Sequence, residues 1–325
     1  MHPEQSRLLR AATGRVPGPR TPGRTRRWTP RGPLDLGLTL GPLRRGPGDP
    51  AFRVGADRAV YRASRTPEGP GTLRIARPSG GEVEAEAWGP GADWLLDRLP
   101  GLLGDADDPA AFTARHRVVH EAHRRNPGLR LTRTGLVLES LIPAILEQKV
   151  TSDEAYRSWR VLLWRFGEPA PGPGEELRMR VMPDARGWAM IPSWEWHRAN
   201  VDGKRSAAAV RAARAAARME QATDLAPAEA LARLQAVPGI GPWTAAETLQ
   251  RSNGDPDAIT VGDLHLPHTV GYALTGAHRS DDAVMLELLE PYAGQRHRAA
   301  RLILLTGRRP PRRAPRMAPG NIVPL

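Results

Sequence analysis

The stretch 231–248, LARLQAVPGIGPWTAAET, has the pattern of two amphipathic helices joined by a tight turn. Gly239 and Gly241 can adopt backbone angles closed to other residues and carry no side chain to obstruct a ligand. Pro242 suits the first turn of the second helix, whose unpaired N–H groups and positive dipole end point at the same turn. The pattern therefore predicts an anion-binding site without a charged side chain. The alternative is a glycine-rich turn that only joins two packed helices.

Upstream of this hairpin, short alternating runs bounded by Gly and Pro predict antiparallel strands. These runs cover residues 34–40, 59–64, 73–76 and 83–88. After them a helical period takes over and continues to residue 305. The predicted fold class is α+β, with a small antiparallel β-rich domain over 33–110 and an all-helical domain over 111–307. The ends, 1–32 and 308–325, are rich in Arg, Pro and Gly, and we expect them to be disordered tails.

The 325-residue chain has 47 basic and 35 acidic side chains and a formal net charge of +12. The ends account for this charge, because 1–32 hold eight Arg and one acid and 308–316 hold five Arg and no acid. Residues 33–307 are neutral overall, so composition alone does not indicate a DNA-binding surface. The absence of cysteine excludes disulfides, thiolate metal sites and cysteine nucleophiles. No apolar run approaches the roughly 20 residues of a membrane span, and we expect a soluble cytoplasmic monomer.

An aspartate, Asp263, follows the hairpin 22 residues after Gly241, in the run VPGIGPWTAAETLQRSNGDPDAITVGDLHLPHTVGYALTG at 237–276. Together with the segment 138–152 and the strand-rich start, this run resembles the helix-hairpin-helix DNA glycosylase superfamily, in particular its alkylpurine branch, the family of bacterial 3-methyladenine DNA glycosylase II. The resemblance implies an enzyme of base excision repair, associated with the nucleoid, which extrudes a damaged base from duplex DNA and hydrolyses its glycosidic bond. It also implies that the hairpin motif at 231–250 binds DNA phosphate. The implied phosphate-binding residues are Pro238, Gly239, Ile240, Gly241 and Thr244.

Asp263 is the catalytic candidate. Cleavage of an N-glycosidic bond develops positive charge on the deoxyribose, which an ionised carboxylate stabilises, and the same carboxylate can activate water. The alternative for Asp263 is a helix N-cap, and the two roles can coexist. Trp243 and Tyr272 are candidates for the base pocket, because aromatic faces attract cationic alkylated purines. Some superfamily members carry a catalytic lysine where this chain has Trp243, so the resemblance implies a monofunctional hydrolase.

Gln148 and Lys149 match the loop that, in the family, enters the duplex and fills the space left by the extruded base. An apolar wedge is usual at the second position in the alkylpurine branch, and Lys149 departs from it. The lysine could wedge with its stem, bind phosphate, or supply an amine for lyase chemistry on another lesion. The alternative without a function in DNA binding is that Gln148 and Lys149 lie at the exposed end of a helix. The departure also leaves open a DNA-damage-binding protein without catalysis.

An arginine-bearing helix face and a possible metal-binding spacing each allow more than one interpretation. A helical segment at 204–220 carries three arginines on one face, which predicts either a solvated face or a phosphate-facing stripe. These are Arg211, Arg214 and Arg218. Asp263, His265 and His268 have a metal-like spacing, but the resemblance assigns Asp263 to chemistry without a metal, and we predict no metal. The resemblance allows a monovalent cation at the hairpin carbonyls, and no other cofactor is expected.

Overall fold

The computed structural model describes residues 22–78, 81–311 and 320. Five antiparallel strands form an N-terminal sheet in the order β1-β5-β4-β3-β2. The strands are β1 (Arg24–Trp28), β2 (Phe52–Val54), β3 (Val60–Thr66), β4 (Gly69–Ala76) and β5 (Val83–Trp88). Burial alternates along β5, where Val83, Ala85 and Ala87 face the apolar core. This alternation is the period of two that predicted a strand there.

Residues 34–40, predicted as a strand, contain the short helix α1 (Leu36–Leu40) instead. Asp35 caps this helix, because its side-chain oxygen accepts a hydrogen bond from the backbone N–H of Leu38 at 2.9 Å. The alternating leucines of LDLGLTL suggested a strand, but the capping bond starts a helical turn within the same residues.

The predicted tails are partly ordered. The prediction for 1–32 is wrong at Arg24–Trp28, which pairs along its length with β5 as an edge strand, with Trp28 opposite Val83. The prediction for 308–325 is wrong at Gly320, whose N–H donates to Glu154 at 2.8 Å and whose carbonyl accepts from Asn200 at 3.1 Å. The other parts of the predicted tails at 1–21, 312–319 and 321–325 lie outside the described residues.

After the first sheet the described chain is helical, apart from a two-stranded sheet that the all-helical prediction missed. Its strands are β6 (Glu168–Pro169) and β7 (Arg180–Val181). The helices are α2 (Ala92–Asp97), α3 (Leu99–Leu102), α4 (Arg117–Arg125), α5 (Val137–Leu146), α6 (Ser152–Phe166), α7 (Pro173–Glu176), α8 (Ala185–Ala189), α9 (Ser193–Arg198), α10 (Gly203–Arg214), α11 (Ala216–Glu220), α12 (Pro227–Gln235), α13 (Pro242–Ser252), α14 (Leu266–Thr275), α15 (Asp282–Leu289) and α16 (Arg296–Leu305). The α+β fold class is confirmed. Among the described helices, none has both the length and the apolar content needed to cross a membrane.

Helix α5 lies at the centre of the helical part, where α10 and α13 pack against it. Nine of its ten residues are buried. The carboxylate of Glu220 accepts from the N–H groups of Val137 and Leu138, each at 2.8 Å, and so holds the first turn. At the other end the guanidinium of Arg205 donates to the carbonyl of Leu146 at 2.9 Å. Both ends of α5 are therefore fixed, and the loop that follows it starts from a defined position.

Largely buried ion pairs join the first sheet and its neighbouring loop to α5 and to Glu147, the residue that directly follows it. Arg62 on β3 pairs with Glu139, and Arg45 pairs with Glu147 at 2.9 Å. Burial raises the pKa of the Glu139 carboxyl, although the positive charge of Arg62 opposes that shift. Desolvation largely offsets the attraction within such pairs, so their main effect here is on relative orientation. The strand-rich part thus helps to set where the C-terminal end of α5 lies.

Candidate active site

The hairpin turn joins α12 to α13 through residues 236–241. Within it the N–H of Ile240 donates to the carbonyl of Val237 at 3.0 Å, and Gly239 has a φ of +97°. A Cβ at Gly239 would lie 2.7 Å from the Cβ of Ala208 on α10. Glycine at 239 is therefore required both by the backbone angle and by the packing of the hairpin on α10.

Gly241, in contrast, is a glycine that the fold does not require. Its φ of −94° and ψ of −179° are open to other residues, so the expectation of special backbone angles is wrong here. A Cβ built on Gly241 meets no atom within 4 Å. Among the described contacts, the N–H groups of Gly241, Trp243 and Thr244 have no acceptor, as the start of a helix dictates. They form a cluster of unpaired donors at the positive end of α13, where Gly241 is exposed, Trp243 is half-buried and Thr244 is buried.

Side chains from both sides of the turn donate hydrogen bonds to its carbonyl groups. Gln148 donates through Nε2 to the carbonyl of Gly239 at 2.9 Å and to the hydroxyl of Thr244 at 2.8 Å. Arg211 on α10 donates through Nε to the carbonyl of Pro238 at 2.9 Å. The side chains of Gln148 and Thr244 thus brace the hairpin through its carbonyl side, and the bonds leave the backbone N–H groups of Gly241 and Trp243 unpaired. A monovalent cation bound to the carbonyls of Pro238 and Gly239 would therefore share them with Arg211 and Gln148.

Asp263 precedes α14, and its carboxylate accepts three hydrogen bonds. Oδ1 accepts from the N–H groups of His265 and Leu266, each at 2.8 Å, so the carboxylate holds the residues at the start of α14. The N-cap of α14 is His265, two residues after Asp263, so the alternative prediction of an N-cap at Asp263 is wrong. Oδ2 accepts from the indole Nε1 of Trp243 at 3.0 Å. A carboxylate offers about four lone-pair sites, so one site on Oδ2 remains open. The carboxylate of this half-buried residue is held in one orientation and can still face a further ligand.

The two aromatic candidates differ in their relation to Asp263. Trp243 lies in the first turn of α13, is half-buried and contacts Asp263 directly. Tyr272 lies in α14 with its ring 5.6 Å from the ring of His278. In the described part of the chain no hydrogen bond or ring contact joins Tyr272 to Asp263 or Trp243. The structure therefore brings together one of the two predicted pocket residues with the aspartate.

Lys149 directly follows the braced Gln148, and its side chain is exposed. Its φ of +56° lies in the left-handed region, which is uncommon for a residue other than glycine. Helix α6 then begins with a capping box in which Thr151 and Glu154 bond each other's backbone. The predicted pair is thus divided, because Gln148 is engaged with the hairpin and Lys149 projects from a short turn between two fixed helices.

The metal-like spacing does not assemble into a metal site. The carboxylate of Asp263 is bonded as above, and His268 accepts through Nδ1 from the N–H of Ser280 at 3.1 Å. Across residues 22–78 and 81–311, no group of three or more His, Asp or Glu side chains is placed to hold a metal ion.

Solved structures share this architecture. The 3-methyladenine DNA glycosylase from Archaeoglobus fulgidus matches with a TM-score of 0.70 and 19% identity, over 86% of this chain and 97% of that one. MBOgg1 in complex with a low-affinity DNA ligand matches with a TM-score of 0.69 and 14% identity, over 88% and 98%. The chain has the helix-hairpin-helix DNA glycosylase fold. No protein-family model and no curated protein matches the sequence.

The same glycosylase fold is found in the 8-oxoguanine glycosylase/lyase from Clostridium acetobutylicum, in complex with double-stranded DNA containing cytosine opposite 8-oxoG. That structure matches with a TM-score of 0.67 and 10% identity, over 87% of this chain and 97% of that one. Matched structures therefore include glycosylases whose names give different damaged bases, and the fold alone does not choose between them.

The sequence did not indicate the contacts that position the site within this glycosylase fold. Gln148 braces a hairpin that lies 91 residues further along the chain, and Arg45 holds Glu147 across 102 residues. The spacing of Arg211 showed only that it shares a helix face with other arginines. No local signal in the sequence indicates any of these contacts, because each depends on how distant helices pack.

Proposed function

We propose that the protein is a DNA glycosylase of base excision repair, which releases a damaged base from duplex DNA by hydrolysing its N-glycosidic bond. The observation that carries the proposal is the carboxylate of Asp263, held by Trp243 and the start of α14 close to the open donors of the hairpin. A phosphate of the damaged strand binds to the donors, and this contact brings the sugar to the carboxylate. The fold shared with several glycosylases agrees with this assignment.

The reaction follows from the charge that develops during bond cleavage. As the glycosidic bond breaks, the departing base takes the bonding electrons and the deoxyribose becomes positive. The ionised carboxylate of Asp263 stabilises this charge through its open lone-pair site, and then orients and deprotonates the attacking water. Since three hydrogen bonds already fix the carboxylate, little reorganisation is needed in the transition state.

For the substrate we propose alkylated purines of the 3-methyladenine type. The indole of Trp243 stands where lyase members of the superfamily carry a lysine, and an aromatic face at that position suits a cationic base. None of the three described hydrogen-bond partners of Asp263 is an amine, so we propose water as the nucleophile and a DNA strand that is not nicked. Tyr272 is retained as a candidate for a further wall of the base pocket.

The exposed Lys149 is the residue that we propose to enter the duplex beside the extruded base. Its position on a short turn after a fixed helix suits a group that must hold its place while DNA is distorted. Gln148 contributes indirectly, since it braces the hairpin from the same loop. We propose that the protein acts on chromosomal DNA in the cytoplasm as a monomer.

Asp263→Asn tests the catalytic assignment. Release of 3-methyladenine from methylated duplex DNA should fall at least about 100-fold, because the variant keeps the shape of the side chain and loses its charge. Binding to a duplex with an abasic-site analogue should change little, since the hairpin is untouched. Undiminished base release by the variant would overturn the assignment.

The same measurements, extended to duplexes with alkylated, deaminated and oxidised bases, separate the alternatives. Tight binding without release of any base would favour a damage-binding protein. A covalent DNA adduct trapped by borohydride would favour lyase chemistry. The chain has only two lysines, Lys149 and Lys204, so single substitutions would identify the amine.

A further inference from the structure

We propose that Arg211 is a second phosphate-binding group at the hairpin, a cation that adds to the neutral backbone donors of α13. This inference rests on the proposed function in DNA repair, because it assumes that duplex DNA lies on the hairpin. It assigns a role to the arginine face for which the sequence left two alternatives. It also supplies a cation beside the hairpin in a part of the chain with no net charge.

The contact with the hairpin places the guanidinium of Arg211. Nε donates to the carbonyl of Pro238 at 2.9 Å, and Nη2 lies 3.3 Å from the position that a Cβ of Gly239 would take. The guanidinium of Arg211 therefore lies against Pro238 and Gly239 of the hairpin turn. The unpaired N–H groups begin two residues further on, at Gly241. After the bond to Pro238, the four N–H bonds on the two terminal nitrogens remain available as donors.

Arg211 and Arg205 lie on the same helix and show two different uses of arginine. Arg205 is buried, pairs with Asp202 and donates to the carbonyls of Leu146 and Asn200, so its donors act within the fold. Arg211 is exposed, and in the described part of the chain no carboxylate lies within ion-pair distance of it. The guanidinium of Arg211 is thus oriented by the protein but not neutralised.

Such a group is suited to a phosphate. Arginine can bind phosphate through two parallel N–H bonds, and these charge-assisted bonds are stronger than neutral ones. The bond to Pro238 already restricts the long side chain, which lowers the entropy that must be lost when DNA binds. Three other exposed cations lie on the same face of the segment that contains α10 and α11. They are Lys204, Arg214 and Arg218.

The test compares Arg211→Gln and Arg211→Lys with wild type and with Arg124→Gln. Arg124 is an exposed arginine on α4, which packs against α16, so its substitution removes the same charge away from the hairpin. Fluorescence anisotropy gives the Kd for a short duplex with an abasic-site analogue over roughly 50 to 200 mM salt. Thermal unfolding of each variant is measured in parallel.

Arg211→Gln should weaken binding about tenfold at the lowest salt and make the slope of log affinity against log salt shallower by about 0.9, the change expected for one phosphate contact. Arg211→Lys should keep most of the slope because it keeps the charge, and Arg124→Gln should behave as wild type. Unchanged affinity in Arg211→Gln would overturn the inference. Weaker binding with the wild-type slope would also overturn it, since that result describes a brace of the hairpin and no phosphate contact.

Failure here is distinguishable from failure of the proposed function. If Arg211→Gln shows no change in slope while Asp263→Asn abolishes base release, the glycosylase assignment stands and the phosphate contact is rejected. If wild type releases no base from any lesion duplex but Arg211→Gln shows the shallower salt slope, the DNA-binding inference stands without the enzymatic one.

Discussion

Replacing Gly241 with serine separates what the fold requires from what a ligand requires. The backbone at Gly241 is extended and no atom lies within 4 Å of an added Cβ, so the folded chain accepts a side chain there. Serine is a slightly better N-cap than glycine, and the free energy of unfolding should stay within about 0.5 kcal/mol of wild type or rise. The new hydroxyl would accept from the N–H of Trp243 or Thr244 and would occupy the space in front of these donors.

A DNA phosphate displaced from these donors loses at least one hydrogen bond to a charged group, which is worth about 1.5 to 3 kcal/mol. This loss corresponds to binding that is about 10- to 150-fold weaker. Fluorescence anisotropy with an abasic-site duplex measures the Kd, and urea unfolding measures the stability of the same protein. A folded Gly241→Ser variant that binds DNA as tightly as wild type would refute the role of the hairpin in phosphate binding.

Gly239→Ala is the contrasting variant for the same pair of assays. At this glycine the φ of +97° strains any other residue, and the added Cβ would lie 2.7 Å from the Cβ of Ala208. We expect a loss of about 1 to 3 kcal/mol in the free energy of unfolding. The two glycines of one motif should therefore respond differently, one in DNA affinity and the other in stability.

Two further substitutions test the aspartate's partner and the buried interior. Trp243→Phe keeps the aromatic face but removes the N–H that donates to Asp263 at 3.0 Å. Single-turnover base release should therefore fall about tenfold. The matched control, Trp194→Phe at an exposed tryptophan, should release the base at the wild-type rate. Burial, together with nearby arginines, lowers the pKa of His297 well below its usual 6.5, so at acid pH the unfolded chain binds a proton that the folded chain excludes. Stability should therefore decrease by up to about 1.4 kcal/mol per pH unit below about pH 6.5, and urea unfolding of His297→Gln should show a correspondingly weaker dependence on pH.

Motifs with strong local determinants could be predicted from the sequence. The hairpin combines helix period, glycine and proline within a few residues, and the observed helix α13 begins at Pro242, where proline was expected to start it. Alternation likewise predicted β5 with its observed bounds, because half-buried strands impose that period on their residues. The same rule failed at 34–40, since the capping bond from Asp35 outweighed a pattern that fits either structure.

What could not be predicted depends on contacts between distant residues. The bonds from Gln148 to the hairpin and from Trp243 to Asp263 exist because α5, α13 and the loop before α14 converge in the fold. Composition also gave no reason to place Arg24–Trp28 in a sheet, because arginine-rich segments are usually solvated and a strand at an edge needs only one paired side. The sequence therefore indicated the chemistry of the candidate site more readily than the long-range contacts that hold its residues in place.

The edge strand β1 also bears on the risk that the sheet pairs with another chain. The unpaired side of an edge strand is a template on which other chains can assemble, and charged residues and proline are common protections. Here β1 carries three arginines, each within ion-pair distance of an acidic side chain, and Pro30 follows the strand. The arginines are Arg24, Arg26 and Arg27. Deleting residues 1–32 would remove β1 and leave β5 as an edge strand with an alternating apolar face, a form prone to aggregate. Deleting only residues 1–21 would leave β1 paired with β5.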